Sequence, residues 1–180
     1  MSDRALLSVP VGPDDHSSGP LDAKLTVVEY GDYQCPYCGQ AFPIVEKLRA
    51  EFAQSMRFVF RNLPLADVHP HAEAAAEVAE ALGLQGKFWE IHDTLYKNQS
   101  DLSNAALLRY IEEVGGDAKK AQSDIGAGAP GKRVEADFEG AIRSGANGTP
   151  TFFVNGERYD GSWQYEPFFE YLTDVLGDVG

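Results

Sequence analysis

Leu25-Thr26-Val27-Val28-Glu29-Tyr30, then Gly31-Asp32, then Cys35-Pro36-Tyr37-Cys38: these residues set the pattern that the rest of the chain completes. Leu25 to Tyr30 is β-branched and mostly apolar, the composition of a strand buried on both faces. Gly31 and Asp32 break it. A helix is expected from about Cys35 to Phe52, with Ala41, Val45, Leu48 and Phe52 on one face. Pro36 suits its first turn, where a missing N–H costs nothing. Pro43 removes an interior bond to the carbonyl of Gly39 and should kink the helix. Met56 to Arg61 alternates as a second strand, closed by Asn62 to Pro64. The unit is β–α–β, which calls for a parallel pair and a right-handed crossover.

Further along, the period changes. Helices are expected over His71–Leu82, Lys87–Lys97, Asn104–Val114 and Asp117–Ile125, and over Lys132–Ser144 with Val134, Phe138, Ala141 and Ile142 inward. Strand signals return at Thr151–Val154. Asn155-Gly156 is a two-residue hairpin turn, Arg158-Tyr159 begins the return strand, and Glu166–Leu176 forms a last amphipathic helix. The order is β–α–β, a helical block, then β–β–α. The expected organisation is a flexible tail over 1–20, a sheet domain from 21–65 plus 146–180, and a helical insertion over 66–145. The tail is inferred from the Pro, Gly, Ser and Asp content of its residues.

The chain of 180 residues carries 28 acidic and 15 basic side chains, a formal net charge of −13. That balance argues against nucleic acid or an anionic membrane surface as partner. No run of about 18 apolar residues is present, so no membrane insertion is expected. The start lacks the basic-then-apolar pattern of a secretory signal, so taken at face value a cytoplasmic protein is expected; a chain already trimmed of its signal would instead be periplasmic or otherwise extracytoplasmic.

Only two cysteines occur, three positions apart. A disulfide between them closes almost no loop and removes little unfolded-chain entropy, so chemistry rather than stapling explains the pair. At positions i and i+3 of a helix start, the two sulfurs share one face and can alternate between dithiol and disulfide. Cys35 sits where free N–H groups and the helix dipole favour a thiolate; Cys38 lies a turn deeper. Cys35 is therefore the exchanging nucleophile and Cys38 the resolving thiol.

These residues, with Val27–Tyr30 before them and Gly148-Thr149-Pro150-Thr151-Phe152 late in the chain, resemble the DsbA-like thiol:disulfide oxidoreductases of the thioredoxin superfamily. The resemblance implies an α/β thioredoxin-like fold with a helical insertion between its βαβ and ββα halves. It further implies that Pro150 is a cis-proline facing the pair, and that the Thr149 backbone pairs with an extended substrate segment. Glu29, six residues before Cys35, matches the position of a buried acid in such folds and could exchange a proton with Cys38. Pro36 and Tyr37 are expected beside the substrate. The implied partners are protein or peptide thiols and disulfides, with a redox partner or glutathione; no cofactor is implied. The Pro-Tyr dipeptide also occurs in glutaredoxins and leaves the direction of reaction open.

Other signals carry less. His69 and His71 could join the cysteines as zinc ligands, but the spacing is wrong for a finger and no metal is assigned; the pair is expected to cap the next helix or lie in solvent. Glu73, Glu77 and Glu80 read as a solvated face. His92, Phe88, Trp89 and Tyr96 read as packing. The alternative function is a protein that binds a partner or unfolded chains, with the cysteines as a redox switch.

Overall fold

The computed structural model describes residues 4–180. Among them, five strands, β1 (His16–Ser18), β2 (Leu25–Gly31), β3 (Met56–Asn62), β4 (Thr151–Val154) and β5 (Glu157–Tyr159), form one sheet in the order β1-β3-β2-β4-β5. Seven helices accompany it in the described residues: α1 (Pro36–Glu51), α2 (Ala72–Gly83), α3 (Phe88–Lys97), α4 (Asn104–Glu113), α5 (Ala118–Ala127), α6 (Ala129–Arg143) and α7 (Tyr165–Asp178).

Central β2 is parallel to β3, with Val27 opposite Phe58 and Glu29 opposite Phe60, and antiparallel to β4, with Glu29 opposite Phe152. Its two faces separate the core. Leu25 and Val27 pack with Phe58, Phe60, Phe152 and Val154 under α1, α3 and α7. Val28 and Tyr30 pack with Val59 and Phe153 under Ala141 of α6 and under Leu7 and Val11. Burial on both sides explains why β2 reads as a continuous apolar run rather than an alternation. The hairpin forms where the Asn-Gly pair required it: Asn155 and Gly156 have φ of 47° and 86°. Helix α1 is continuous through Pro43, which lies on its exposed side.

Three expectations are corrected. The N-terminal segment is not a flexible tail over its described residues. Polar contacts hold it along its length: β1 pairs antiparallel with β3, Leu7 N–H donates to Gly156 O at 2.8 Å, and Ser8 N–H donates to Ser144 Oγ at 2.9 Å. The Arg61 guanidinium binds Asp15 through two bonds of 2.8 and 2.9 Å and also reaches the Val9 carbonyl. Residues 1–3 lie outside the described part of that stretch.

Helix α6 buries Val134, Asp137 and Ala141, while Phe138 and Ile142 are 37% and 53% exposed. Its inward stripe is rotated because Asp137 turns in to accept from the Asn62 N–H and side-chain amide, at 3.0 and 2.9 Å. Glu80 is buried rather than solvated; both its oxygens lie 2.9 Å from His16 Nε2, and one accepts from Asn62. A buried polar network of this kind has no signature in hydrophobic periodicity.

Candidate active site

Cys35 is the N-cap of α1 and Pro36 its first residue. Pro36 and Tyr37 project outward, Tyr37 being 62% exposed, whereas Cys38 points into the core with no exposure and Cys35 lies at the surface edge with 3%. Both are free thiols. The Thr149–Pro150 peptide is cis, and Cys35 Sγ faces the Thr149 carbonyl at 3.6 Å. The late loop and the helix start therefore meet. The Thr149 hydroxyl is buried without a partner, free to donate to a thiolate.

The two sulfurs differ in acidity. The Cys35 thiol is lowered to about 5, first by the hydrogen bond from Cys38, against the opposing effect of burial, and then by Thr149 and by the N–H groups of Cys38 and Tyr37. Cys38 is pushed well above the usual thiol value, chiefly by burial, then by its bond to Cys35 and the nearby Glu29. Helix-start N–H groups stabilise one thiolate and not the other. Glu29 is buried on the α1 side of β2, and desolvation raises its carboxyl to about 8, the Arg49 charge opposing and the Cys35 and Glu46 charges adding. A carboxyl of that acidity holds its proton at neutral pH and is poised to exchange it near physiological pH.

Three residues around the turn are not singled out by their sequence positions. Asp32, read as a strand breaker, is buried and accepts from the N–H groups of Gln34 (2.7 Å), Cys35 (3.1 Å) and Leu65 (2.9 Å). Its second oxygen also meets His69 Nδ1 at 2.8 Å. His69 thus neither caps α2 nor lies free in solvent. His71 stands at the N-cap position of α2 but makes no side-chain cap. Gln99, after α3, donates through Nε2 to the carbonyls of Tyr33 and Cys35 at 2.9 and 2.7 Å. Its amide occupies the space a side chain at Gly39 would need. An Asp that accepts from the N–H two residues on forms an Asx turn, a local signal that could have marked Asp32. Gln99 lies 64 positions from Cys35 and His69 37 positions from Asp32, and neither has a local signal.

Behind the turn, Tyr33 is buried and bonded to His92 Nδ1 at 2.9 Å. Phe60, Phe88, Trp89 and Tyr96 surround that imidazole. Burial drives the His92 pKa well below its usual value, which keeps the ring neutral.

A family profile described as Thioredoxin matches residues 12–174. The chain is 50% identical over 171 residues to part of the Na(+)/H(+) antiporter NhaA 1 of Salinispora arenicola, covering 94% of this chain and 26% of that one. It thus spans about a quarter of the length of the curated relatives it matches. Among solved structures, a thioredoxin-like oxidoreductase from Silicibacter pomeroyi superposes with a TM-score of 0.80 at 29% identity, covering 93% of this chain and 92% of that one. Oxidised BdbD from Bacillus subtilis gives 0.85 at 22% identity, with 97% and 100% covered. A periplasmic thioredoxin-like protein from Salmonella enterica serovar Typhimurium gives 0.76 at 20% identity, with 92% of each covered. By profile and architecture together, the chain belongs to the thioredoxin family, with helices α2 to α6 interrupting the sheet.

Proposed function

We propose that this chain catalyses thiol–disulfide exchange on protein or peptide thiols through Cys35 and Cys38. The observation that carries the reading is geometric: Cys35 caps the start of α1 with its Sγ 3.6 Å from the Thr149 carbonyl, and Cys38 lies one turn deeper in the core. In the reducing direction, the Cys35 thiolate attacks one sulfur of a substrate disulfide and displaces the other as a thiolate, leaving a mixed disulfide. Cys38 then attacks the Cys35 sulfur, its proton passing to Glu29 in the ionised form. The second substrate thiol leaves, and a Cys35–Cys38 disulfide remains. Run backwards, the same steps oxidise a substrate dithiol. Thr149 and Pro150 offer backbone to an extended substrate segment, and Pro36 and Tyr37 contact it.

The low pKa of Cys35 favours the oxidising direction, because it stabilises the dithiol form against the disulfide. Disulfide donors work in oxidising compartments. The cytoplasmic placement expected from the start of the chain therefore has no support, and an extracytoplasmic site of action fits better, in line with the periplasmic neighbour. Among the described residues no helix is long and apolar enough to cross a membrane. Ion transport belongs to the names of the longer relatives and is not carried over; the site here handles thiols.

The test is capture of the intermediate. A Cys38→Ser variant incubated with a disulfide-containing peptide should accumulate a mixed disulfide through Cys35, seen by mass spectrometry, while Cys35→Ser should form none and lose exchange activity. Full activity in Cys35→Ser would leave the redox-switch binding protein as the better account.

A further inference from the structure

Asp32 places a buried carboxylate directly beneath the reactive turn. One oxygen accepts from the N–H groups of Gln34 and Cys35, the other from Leu65 N–H and the His69 ring. Both oxygens act only as acceptors, the role of the ionised form. A negative charge beside the start of α1, held on the Cys35 amide itself, opposes the formation of a second one on the Cys35 sulfur. His69 is the side chain that answers it. Its Nδ1 must carry a proton to donate at 2.8 Å, and the ring is mostly buried, its side chain 18% exposed against none for Asp32. The contact is not required by chain connectivity: Asp32 follows β2, whereas His69 lies on the link from β3 to α2.

Resting on the exchange reading above, we propose that His69 is a positioning residue of the redox pair: by donating to Asp32 it offsets the charge beneath the turn and fixes the carboxylate on the Cys35 amide, so that Cys35 stays a reactive thiolate. The other ionisable groups beside Cys35 are Cys38 on α1 and Glu29 on β2, and the bond His69 makes is to Asp32.

A double-mutant cycle on the reduced full chain tests this, with thiolate absorbance near 240 nm followed against pH. His69→Leu should move the Cys35 midpoint up by about one pH unit, the lower end of the effect of a nearby charge. Adding Asp32→Asn should bring it back towards the wild-type value, because the charge to be offset is gone. If His69 merely holds the loop, the second substitution adds damage and the midpoint does not return; that result, or a His69→Leu midpoint equal to wild type, overturns the proposal. Should His69→Leu fail to fold, Asp32→Asn alone decides: a midpoint at or below wild type supports the charge account, and one above it refutes it. Exchange with glutathione in the wild-type sample separates the two layers. A wild-type protein that does not exchange defeats the exchange reading, whereas one that exchanges while the cycle shows no coupling defeats only the role of His69.

Discussion

At the scale of single residues, the site is a set of groups whose surroundings push them apart in acidity. Glu29 gives the sharpest consequence. Its folded value of about 8 lies above the ordinary 4.5, so the folded protein keeps a proton that the unfolded chain releases. Stability therefore falls as pH rises from 4.5 to 8, and the loss is complete above the folded value. Glu29→Gln stays neutral throughout. It should match the wild type near pH 4.5 and exceed it at about pH 8.5 by up to ~4 kcal/mol, from about 1.4 kcal/mol per pH unit. Urea unfolding of the reduced proteins at the two pH values measures this; a pH-independent difference would contradict the buried-acid role. The same variant should slow the attack of Cys38 on a mixed disulfide, because its proton acceptor is gone. Cys35 and Cys38 could be named from spacing, since a helix start and a two-residue gap are local features; Glu29 is named only through the family resemblance. Asp32, His69 and Gln99 could not be grouped in that way, because what joins them is the approach of the helical block to the turn.

At the scale of elements, α1 combines a functional N-terminus with a proline seven residues in. Pro43 leaves the Gly39 carbonyl without its helical donor, yet the helix runs on to Glu51 because Ala41, Val45 and Leu48 bury a stripe against the sheet. Tertiary packing thus overrides local propensity. Pro43→Ala, at an exposed position, should raise stability by roughly 1–3 kcal/mol in chemical denaturation, as the interior penalty of proline is removed. A loss of stability would mean that a bend at Pro43 is needed for the fit of α1 against β2 and α7. The helices and the Asn155–Gly156 hairpin were readable within a few residues, because each rests on periodicity or on a turn type with strict φ requirements. Strand β1 was not: His16-Ser17-Ser18 has neither β-branched nor apolar content. It is a strand because the free edge of β3 and the stacking of His16 on Phe88, ring centroids 3.7 Å apart, hold it there.

At the scale of the molecule, the two sheet faces divide the work. One carries α1, α3 and α7 and positions the cysteines; the other is closed by α6 and by the N-terminal segment, tied through Asp15 to Arg61 and through His16 to Glu80. The helical block reaches round to the first face, where Gln99 and His69 grip the turn. This division was visible in outline as β–α–β, helices, β–β–α. The role of the N-terminal segment was hidden, since its contacts are hydrogen bonds to distant backbone and a buried ion pair, none of which leaves a hydrophobic pattern. The same whole-molecule frame sets the redox poise, because it places Cys35 at the helix start beside Thr149 and Cys38 fully inside the core.

The most direct measurement is the equilibrium reduction potential of the Cys35–Cys38 pair against glutathione. Thioredoxin, whose nucleophilic thiol has a pKa near ~7, stands at about −270 mV, and DsbA, near ~3.5, at about −120 mV. With Cys35 lowered to about 5, the pair should lie between them, at about −200 mV. A value at or below that of thioredoxin, or the failure of any Cys35–Cys38 disulfide to form, would contradict the account.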